Sequence, residues 1–307
     1  MTTSAIALEQ PAGDRAERFT LWALLGVTWL LMIWGAATRA SGAGISCPDW
    51  PLCHGYVVPP LDSGAYPADP LYRVDKVYLE FVHRALASLV SVGAVTLSVL
   101  RWRKGLKRST VWLLGLLGAQ VAMGAVTVLL KNAPYTVVIH LSLALTFLAT
   151  LVWMRQGTPE TLPASGTHGR RLLWLLAIAV TQVLIGGVVS SRGIGLACFD
   201  FPLCNGQLIP DSVTFEVAWQ LTHRTVATCL VVGACLLWLP GVAAPADGQR
   251  RRAMALLGTL AVQVLLGAMN VWFQIPPWVS AMHLGTAAVL VALIVDGVAQ
   301  AARQARA

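Results

Sequence analysis

Four histidines occupy matched positions in apolar stretches of the chain, a pattern that indicates cofactor binding inside a membrane. They are His83, His140, His223 and His283, each about seven residues into a predicted helix, or roughly 10 Å at 1.5 Å per residue. Ionisable side chains at such depth are usually functional. Two imidazoles from facing helices can supply both axial ligands of a haem iron, while the porphyrin fills the apolar interior of a bundle. We therefore expect one bis-histidine haem site for each pair.

One acidic residue distinguishes the two predicted sites. Glu80 lies three residues before His83, whereas Gln220 occupies the same position before His223. Residues i and i+3 share a helix face, so Glu80 is expected beside the first site. A carboxylate at one site and an amide at the other indicate that the first handles a reacting molecule and that the second holds its haem permanently. The alternative is that Glu80 lies at the headgroup level and pairs with Arg84.

Four arginines are candidates for binding the haem propionates. Arg84 and Arg224 directly follow the first histidine of each site, and Arg39 and Arg192 mark the outer ends of helices 1 and 5. The remaining two histidines are expected to be solvated, His54 in an outer loop and His168 in a cytoplasmic loop. Copper or zinc would usually need a third ligand, and no further histidine or cysteine repeats at the depth of the four.

A nine-residue motif occurs twice, as CPDWPLCHG from Cys47 and as CFDFPLCNG from Cys198. The spacing favours two local disulfides, Cys47–Cys53 and Cys198–Cys204, because both loops are predicted on the oxidising side of the membrane. The alternative is a zinc site built from four thiolates with His54, although zinc ligands are more often spaced C-x2-4-C. Cys229 and Cys235 are expected to be packing residues within helix 6.

The composition requires that the elements carrying these residues lie in a lipid bilayer. The chain of 307 residues is 56% hydrophobic and 12% charged, with a mean hydropathy of +0.67, whereas a soluble chain carries about 25% charged residues. Eight apolar runs have the length of about 20 residues needed to span a bilayer. They cover residues 20–40, 77–100, 109–130, 134–155, 171–191, 216–239, 253–273 and 276–298. Since no strand-like alternation occurs, the runs predict helices. A cleaved signal peptide is the alternative for the first run, which is longer than a usual signal core.

Basic residues predict the orientation of these helices, since cytoplasmic loops are enriched in Lys and Arg. They cluster before helix 1, in alternate connections and after helix 8, at Arg15, Arg18, Arg101–Arg108, Arg155, Arg170, Arg171, Arg250–Arg252, Arg303 and Arg306. Both termini are therefore predicted in the cytoplasm and both cysteine loops on the outer face of the plasma membrane. The net charge of +8 follows from this topology, and no nucleic-acid binding is predicted.

The internal repeat extends beyond the loops. EFVHRALASLVSVGA (80–94) aligns with QLTHRTVATCLVVGA (220–234), and QVAMGA with QVLLGA, each 20 residues before a histidine. We predict two tandem four-helix bundles related by a pseudo-twofold axis along the membrane normal. The predicted divisions are a cytoplasmic tail (1–19), a substrate repeat (20–155), a cytoplasmic linker (156–170), a cofactor repeat (171–298) and a second tail (299–307).

These motifs in combination resemble haem A synthase, the membrane enzyme family that converts haem O to haem A for terminal oxidases. The resemblance covers about residues 20–298 and rests on EFVHR in helix 2, single histidines in helices 4, 6 and 8, and the cysteine pairs of the first and third outer loops. It implies an oxidoreductase that turns a porphyrin methyl group into a formyl group through hydroxylation, with water as the oxygen source.

The resemblance also implies a role for each site residue. His223 and His283 would hold a haem B cofactor, His83 and His140 would receive the haem O substrate, and Glu80 would be catalytic. The first cysteine pair would assist electron or haem transfer and the second would be structural. The implied partners are an electron acceptor and a farnesyltransferase that supplies haem O, and the chain could form a homo-oligomer.

Two other classes explain part of the pattern. A bis-histidine cytochrome b that only transfers electrons accounts for four histidines but not for Glu80 in one half alone. A parallel-repeat transporter would use the histidines as proton relays, but it predicts broken helices and acidic residues at the midplane.

Overall fold

The computed structural model describes residues 12–156, 167–237 and 247–304. Within these ranges it contains eight α-helices, each long and apolar enough to cross a membrane, which confirms the predicted all-α membrane architecture. The helices are α1 (Ala12–Ala40), α2 (Val74–Arg103), α3 (Lys107–Leu129), α4 (Pro134–Arg155), α5 (Thr167–Ser191), α6 (Phe215–Leu237), α7 (Asp247–Trp272) and α8 (Pro277–Gln304). Two short 3-10 turns, Ser63–Ala65 and Pro70–Tyr72, lie in the first loop.

Several helices extend past the predicted apolar runs, because polar residues continue a helix beyond the hydrocarbon region. α1 begins at Ala12 and α8 continues to Gln304. His168 lies in the first turn of α5, so its prediction as a loop residue is wrong. The rest of the predicted tails and linker, namely 1–11, 157–166 and 305–307, lies outside the described residues, as does 238–246.

Turn chemistry ends the helices at equivalent places in the two repeats. Proline stands at the first position of α4 and of α8, where its missing N–H costs nothing. The turn before each contains two successive left-handed residues, Lys131 and Asn132 (φ 50° and 58°) and Gln274 and Ile275 (φ 56° and 59°). These tight turns place α3 beside α4 and α7 beside α8.

Helix packing follows the repeat. Within the first unit α1 packs on α2, α2 on α3 and α3 on α4, and the second unit repeats these pairings from α5 to α8. Within each unit the first helix also contacts the fourth, α1 with α4 and α5 with α8. Between the units α1 contacts α8, α4 contacts α5, and α4 contacts α8. Every pairing has its counterpart when the two units are exchanged, as expected for a twofold relationship. The axis direction and the side of the termini stay predictions.

Polar contacts tie the two units together at both ends. At the predicted outer end Arg39 donates to the backbone oxygen of Ser190 (3.1 Å) and to its hydroxyl group. At the predicted inner end the Arg155 guanidinium of α4 is paired with the Asp296 carboxylate of α8. The apolar core between these ends is formed mainly by α4, α5 and α8.

Candidate functional site

The four predicted histidines form two pairs, one in each unit. Each lies between the seventh and the tenth residue of its helix, on α2, α4, α6 and α8. His83 and His140 lie close enough to interact electrostatically, and so do His223 and His283. The structure thus brings together the partners that the sequence predicted.

Each histidine ring rests on a glycine of a neighbouring helix. A Cβ atom built on Gly35 would lie 2.7 Å from Cε1 of His83, and on Gly186 3.0 Å from Cε1 of His223. The corresponding distances are 3.3 Å from Gly124 to His140 and 3.2 Å from Gly267 to His283. Only glycine allows this close approach, so α1, α3, α5 and α7 seat the rings that α2, α4, α6 and α8 carry.

Three glutamines accompany these glycines, and their role was not predicted from the sequence. Nε2 of Gln120 lies 3.3 Å from Nε2 of His140, and Nε2 of Gln263 lies 3.3 Å from Nε2 of His283. Nε2 of Gln182 lies 3.1 Å from Nδ1 of His223. Each glutamine stands four residues before its glycine, so the two share a helix face. The spacing Gln-x3-Gly, which occurs at all three places, is the signal that could have found them.

The unsatisfied ring nitrogens suit an iron porphyrin. Among the described residues nothing gives a hydrogen bond to the buried Nδ1 atoms of His83, His140 and His283. A buried polar atom without a partner is costly, so these nitrogens indicate a ligand. The described residues contain no cluster of three or more His, Cys, Asp or Glu side chains suited to a metal ion. Two imidazoles in each unit, seated in apolar surroundings, fit the axial ligand set of haem.

Glu80 is buried and already bonded at both oxygens. Its side chain is 3% exposed, Oε1 accepts from Nη2 of Arg84 at 2.6 Å, and Oε2 accepts from the backbone N–H of Cys47 at 2.7 Å. The predicted pairing with Arg84 therefore exists, inside the protein and one helical turn from His83. In the second unit Gln220 instead donates to the backbone oxygens of Gly195 and Ile194.

The arginines proposed for propionates have protein partners here. Arg84 donates to the backbone oxygens of Asp49, Leu52 and Cys47. Arg224 does the same for its own loop, at Pro202, Leu203, Cys198 and Asp200. Arg39 binds Ser190, and the guanidinium of Arg192 lies 5.3 Å from the ring centroid of Phe215. Two of the four thus hold the outer loops on the helices, and propionate binding stays a prediction.

Both predicted disulfides are present, Cys47–Cys53 and Cys198–Cys204, with Cα atoms 4.6 Å apart in each. Within each loop an aspartate closes a turn: Asp49 accepts from the backbone N–H groups of His54 (2.6 Å) and Gly55 (2.8 Å). Asp200 accepts equivalently from Asn205 and Gly206. The turn needs two left-handed residues, with φ of 52° and 79° in the first loop, which suits Gly and tolerates His or Asn. The repeated motif therefore encodes one folded turn.

Hydrogen bonding also controls the charge of these two aspartates. Burial alone would raise the pKa of Asp49, but the N–H groups of Gly55 and His54 and the Arg84 charge together hold that pKa below its usual value. The pKa of Asp200 is lowered in the same way against its own burial, by Gly206, Asn205 and Arg224.

Two expectations about the remaining residues are corrected. His54 is half-buried, with Nε2 2.8 Å from the Ser46 backbone oxygen and its ring 5.0 Å from those of Tyr66 and Tyr72. It is a structural part of the first loop rather than a solvated residue. Cys229 and Cys235 are free and exposed on α6, so their prediction as packing residues is wrong; they lie on the face away from the bundle interior.

The chain matches known proteins along most of its length. The family model described as Cytochrome oxidase assembly protein, COX15-CtaA, matches residues 18–295. The chain is 29% identical to "Heme A synthase" of Shewanella oneidensis, over 87% of this chain and 91% of that protein. It is 29% identical to "Heme A synthase" of Methylobacterium sp., over 93% and 94% of the two chains, and 27% identical to that of Brucella ovis, over 92% and 89%.

Proposed function

The chain belongs to the COX15-CtaA family of cytochrome oxidase assembly proteins, and from that membership we propose that it oxidises haem O to haem A. Relatives named Heme A synthase match along nearly their whole length, so the chain is an enzyme of haem A biosynthesis. The observation that carries the specific reaction is a difference between the two histidine pairs: a buried carboxylate, Glu80, accompanies one, and an amide, Gln220, accompanies the other.

In this proposal the second unit holds a haem B cofactor on His223 and His283. The first unit binds the substrate, haem O, at His83 and His140. When bound, haem B would supply one-electron redox chemistry. The protein positions the ligands, because the glycines bring α1, α3, α5 and α7 close to the rings and hold each imidazole in one orientation.

Glu80 is the proposed catalytic residue. As the substrate methyl group loses electrons, positive charge develops beside it, and a fixed carboxylate stabilises that charge most effectively in a site without water. Both oxygens of Glu80 are already bonded, to Cys47 and Arg84. Taking up a proton would neutralise Glu80 and weaken its ion pair with Arg84, whereas electrostatic stabilisation leaves that pair intact. The geometry therefore favours the electrostatic role.

The proposed reaction converts –CH3 to –CHO with an oxygen atom from water, through a hydroxymethyl stage. The released electrons pass to an acceptor outside this chain, and the released protons pass to solvent. Because haem O carries a farnesyl chain, a farnesyltransferase must supply it, and the substrate can arrive through the bilayer. The site would lie near the outer face of the plasma membrane, beneath the cysteine loops.

Extraction and chromatography of the bound porphyrins test this function. The chain is expressed with and without a haem O-producing farnesyltransferase, and haems B, O and A are separated. We expect haem B in both cases and haem A only with haem O present. Haem B alone under both conditions would instead support an electron-transfer cytochrome b. Absence of any haem would contradict both.

A further inference from the structure

A glutamine accompanies both histidines of the second unit but only one histidine of the first. Gln182 lies beside His223 and Gln263 beside His283, whereas in the first unit only His140 has such a neighbour. The residue equivalent to Gln182 is Leu31, because each stands four residues before the glycine on which the histidine rests. Leu31 packs against an apolar cluster, and in the described structure Nδ1 of His83 has no hydrogen bond.

We propose that Gln182 is a positioning residue that makes the haem of the second unit resident, and that Leu31 leaves the haem of the first unit exchangeable. This inference rests on the proposed function, in which His223 and His283 hold haem B. It assigns the division between cofactor and substrate site to a second difference between the repeats, separate from Glu80 and Gln220.

The chemistry follows from how imidazole ligates a metal. A ligating histidine almost always donates its other ring N–H to an acceptor, which fixes the ring orientation and raises the ligand basicity. The Gln182 amide lies 3.1 Å from Nδ1 and 3.3 Å from Nε2 of His223, so it can reach whichever nitrogen the iron leaves free. Rotating the amide by half a turn presents Oε1, which is buried and without a partner among the described residues.

Leucine cannot accept this hydrogen bond. A His83 ring without such a hydrogen bond keeps more freedom to turn, and its basicity is not raised by an acceptor. Such a ligand releases iron more readily, which suits a site that must bind a substrate and discharge a product. Loss of an outer-shell partner typically costs about 10–100-fold in metal affinity.

The test exchanges the two residues in the full chain, purified in detergent. Haem loss to excess apomyoglobin and the midpoint potential of the low-spin haem are measured for Gln182→Leu. We expect haem loss about 10–100-fold faster than in wild type and a higher midpoint potential, because the less basic ligand stabilises the ferric state less. Thr181→Leu, an exposed neighbour on α5, is the matched control and should leave both values unchanged.

The reverse variant keeps the proposal testable if Gln182→Leu does not fold. Leu31→Gln should increase the haem that copurifies per chain, since the first unit then retains it. Wild-type haem loss and potential in Gln182→Leu, equal effects in Thr181→Leu, or unchanged haem content in Leu31→Gln would each overturn the inference. Failure of the proposed function is seen separately, as wild-type protein without a bis-imidazole haem spectrum.

Discussion

The backbone N–H of Cys47 donates to Oε2 of Glu80 across 2.7 Å, so the first outer loop is bonded directly to the carboxylate beside His83. At the equivalent position of the second unit, Gln220 donates to loop carbonyl groups instead of accepting from a cysteine N–H. The acidic residue of the first site therefore has two functions, one in anchoring the loop and one proposed in the reaction.

Glu80→Gln separates these functions. The amide oxygen can still accept from Cys47, and Arg84 keeps three loop carbonyl groups, so the buried cation is not left unpaired. We expect normal expression, haem B and bound haem O, but little or no haem A, because the charge is lost. Chromatography of extracted haems measures this.

Asp75→Asn, at an exposed carboxylate of the same helix, is the control. Wild-type haem A would remove Glu80 from the mechanism, and loss of all haem with poor expression would favour a purely structural pair.

His223→Ala and His283→Ala should each abolish stable haem B, because the iron loses one of its two axial ligands. The measurement is the reduced-minus-oxidised spectrum with haem content per chain. His54→Asn is the matched control, since Asn205 occupies the same left-handed position in the second loop. Unchanged haem B with a low-spin bis-imidazole spectrum in either alanine variant would show the ligand assignment to be wrong.

Gly186→Ala should lower haem B content without unfolding the bundle. The new methyl group would lie 3.0 Å from Cε1 of His223, which forces the ring to turn. Gly258→Ala is the control, because its methyl group would meet nothing within 4 Å. Haem content and thermal unfolding are compared for both. Equal haem content in the two variants would show that the close contact between Gly186 and His223 is not needed for haem binding.

Removal of the second disulfide by Cys198→Ser with Cys204→Ser should loosen the outer face and leave the bundle folded. Closing so short a loop contributes about 2–3 kcal/mol on the loop-entropy argument. Non-reducing peptide mapping of the wild type should recover each pair within its own loop. Free thiols, or a bridge between the two loops, would contradict this arrangement.

Acid should weaken both loop turns. A carboxylate whose folded pKa is lowered stabilises the fold above its unfolded pKa and loses that contribution as pH falls through the folded value. The pKa values of Asp49 and Asp200 are both lowered, so the turns should hold at neutral pH and open only below the ordinary aspartate value of about 3.9. Hydrogen exchange at residues 54–55 and 205–206, corrected for intrinsic rates, measures this. In Asp49→Asn the first loop should lose its pH dependence while the second keeps it.

Hydropathy and spacing predicted the eight helices and the histidine pairs because both depend on local pattern. The contacts between the glycines and the histidine rings were not predicted, since they depend on which helix faces each ring. For Glu80 the periodicity correctly indicated the helix face. It could not show that the side chain turns towards Cys47, because that contact joins residues 33 positions apart.

His54 and the two cysteines of α6 show that residue type and hydropathy do not predict the burial of a single side chain. A polar residue in an outer loop is usually solvated, but the long first loop supplies Tyr66 and Tyr72 to enclose His54. Cys229 and Cys235 lie in an apolar run, where hydropathy cannot distinguish the lipid-facing side from the packed side. In a membrane helix both are apolar.

The contact between Arg39 and Ser190 bears on the origin of the chain. Both residues stand eight positions before the first cysteine of their loops, so each is the counterpart of the other. In a dimer of identical four-helix subunits, arginine would face arginine here, or serine would face serine. In one chain the two positions are encoded separately and can diverge into a donor and an acceptor. Fusion would therefore have allowed asymmetry to accumulate, and with it two haem sites of unequal chemistry.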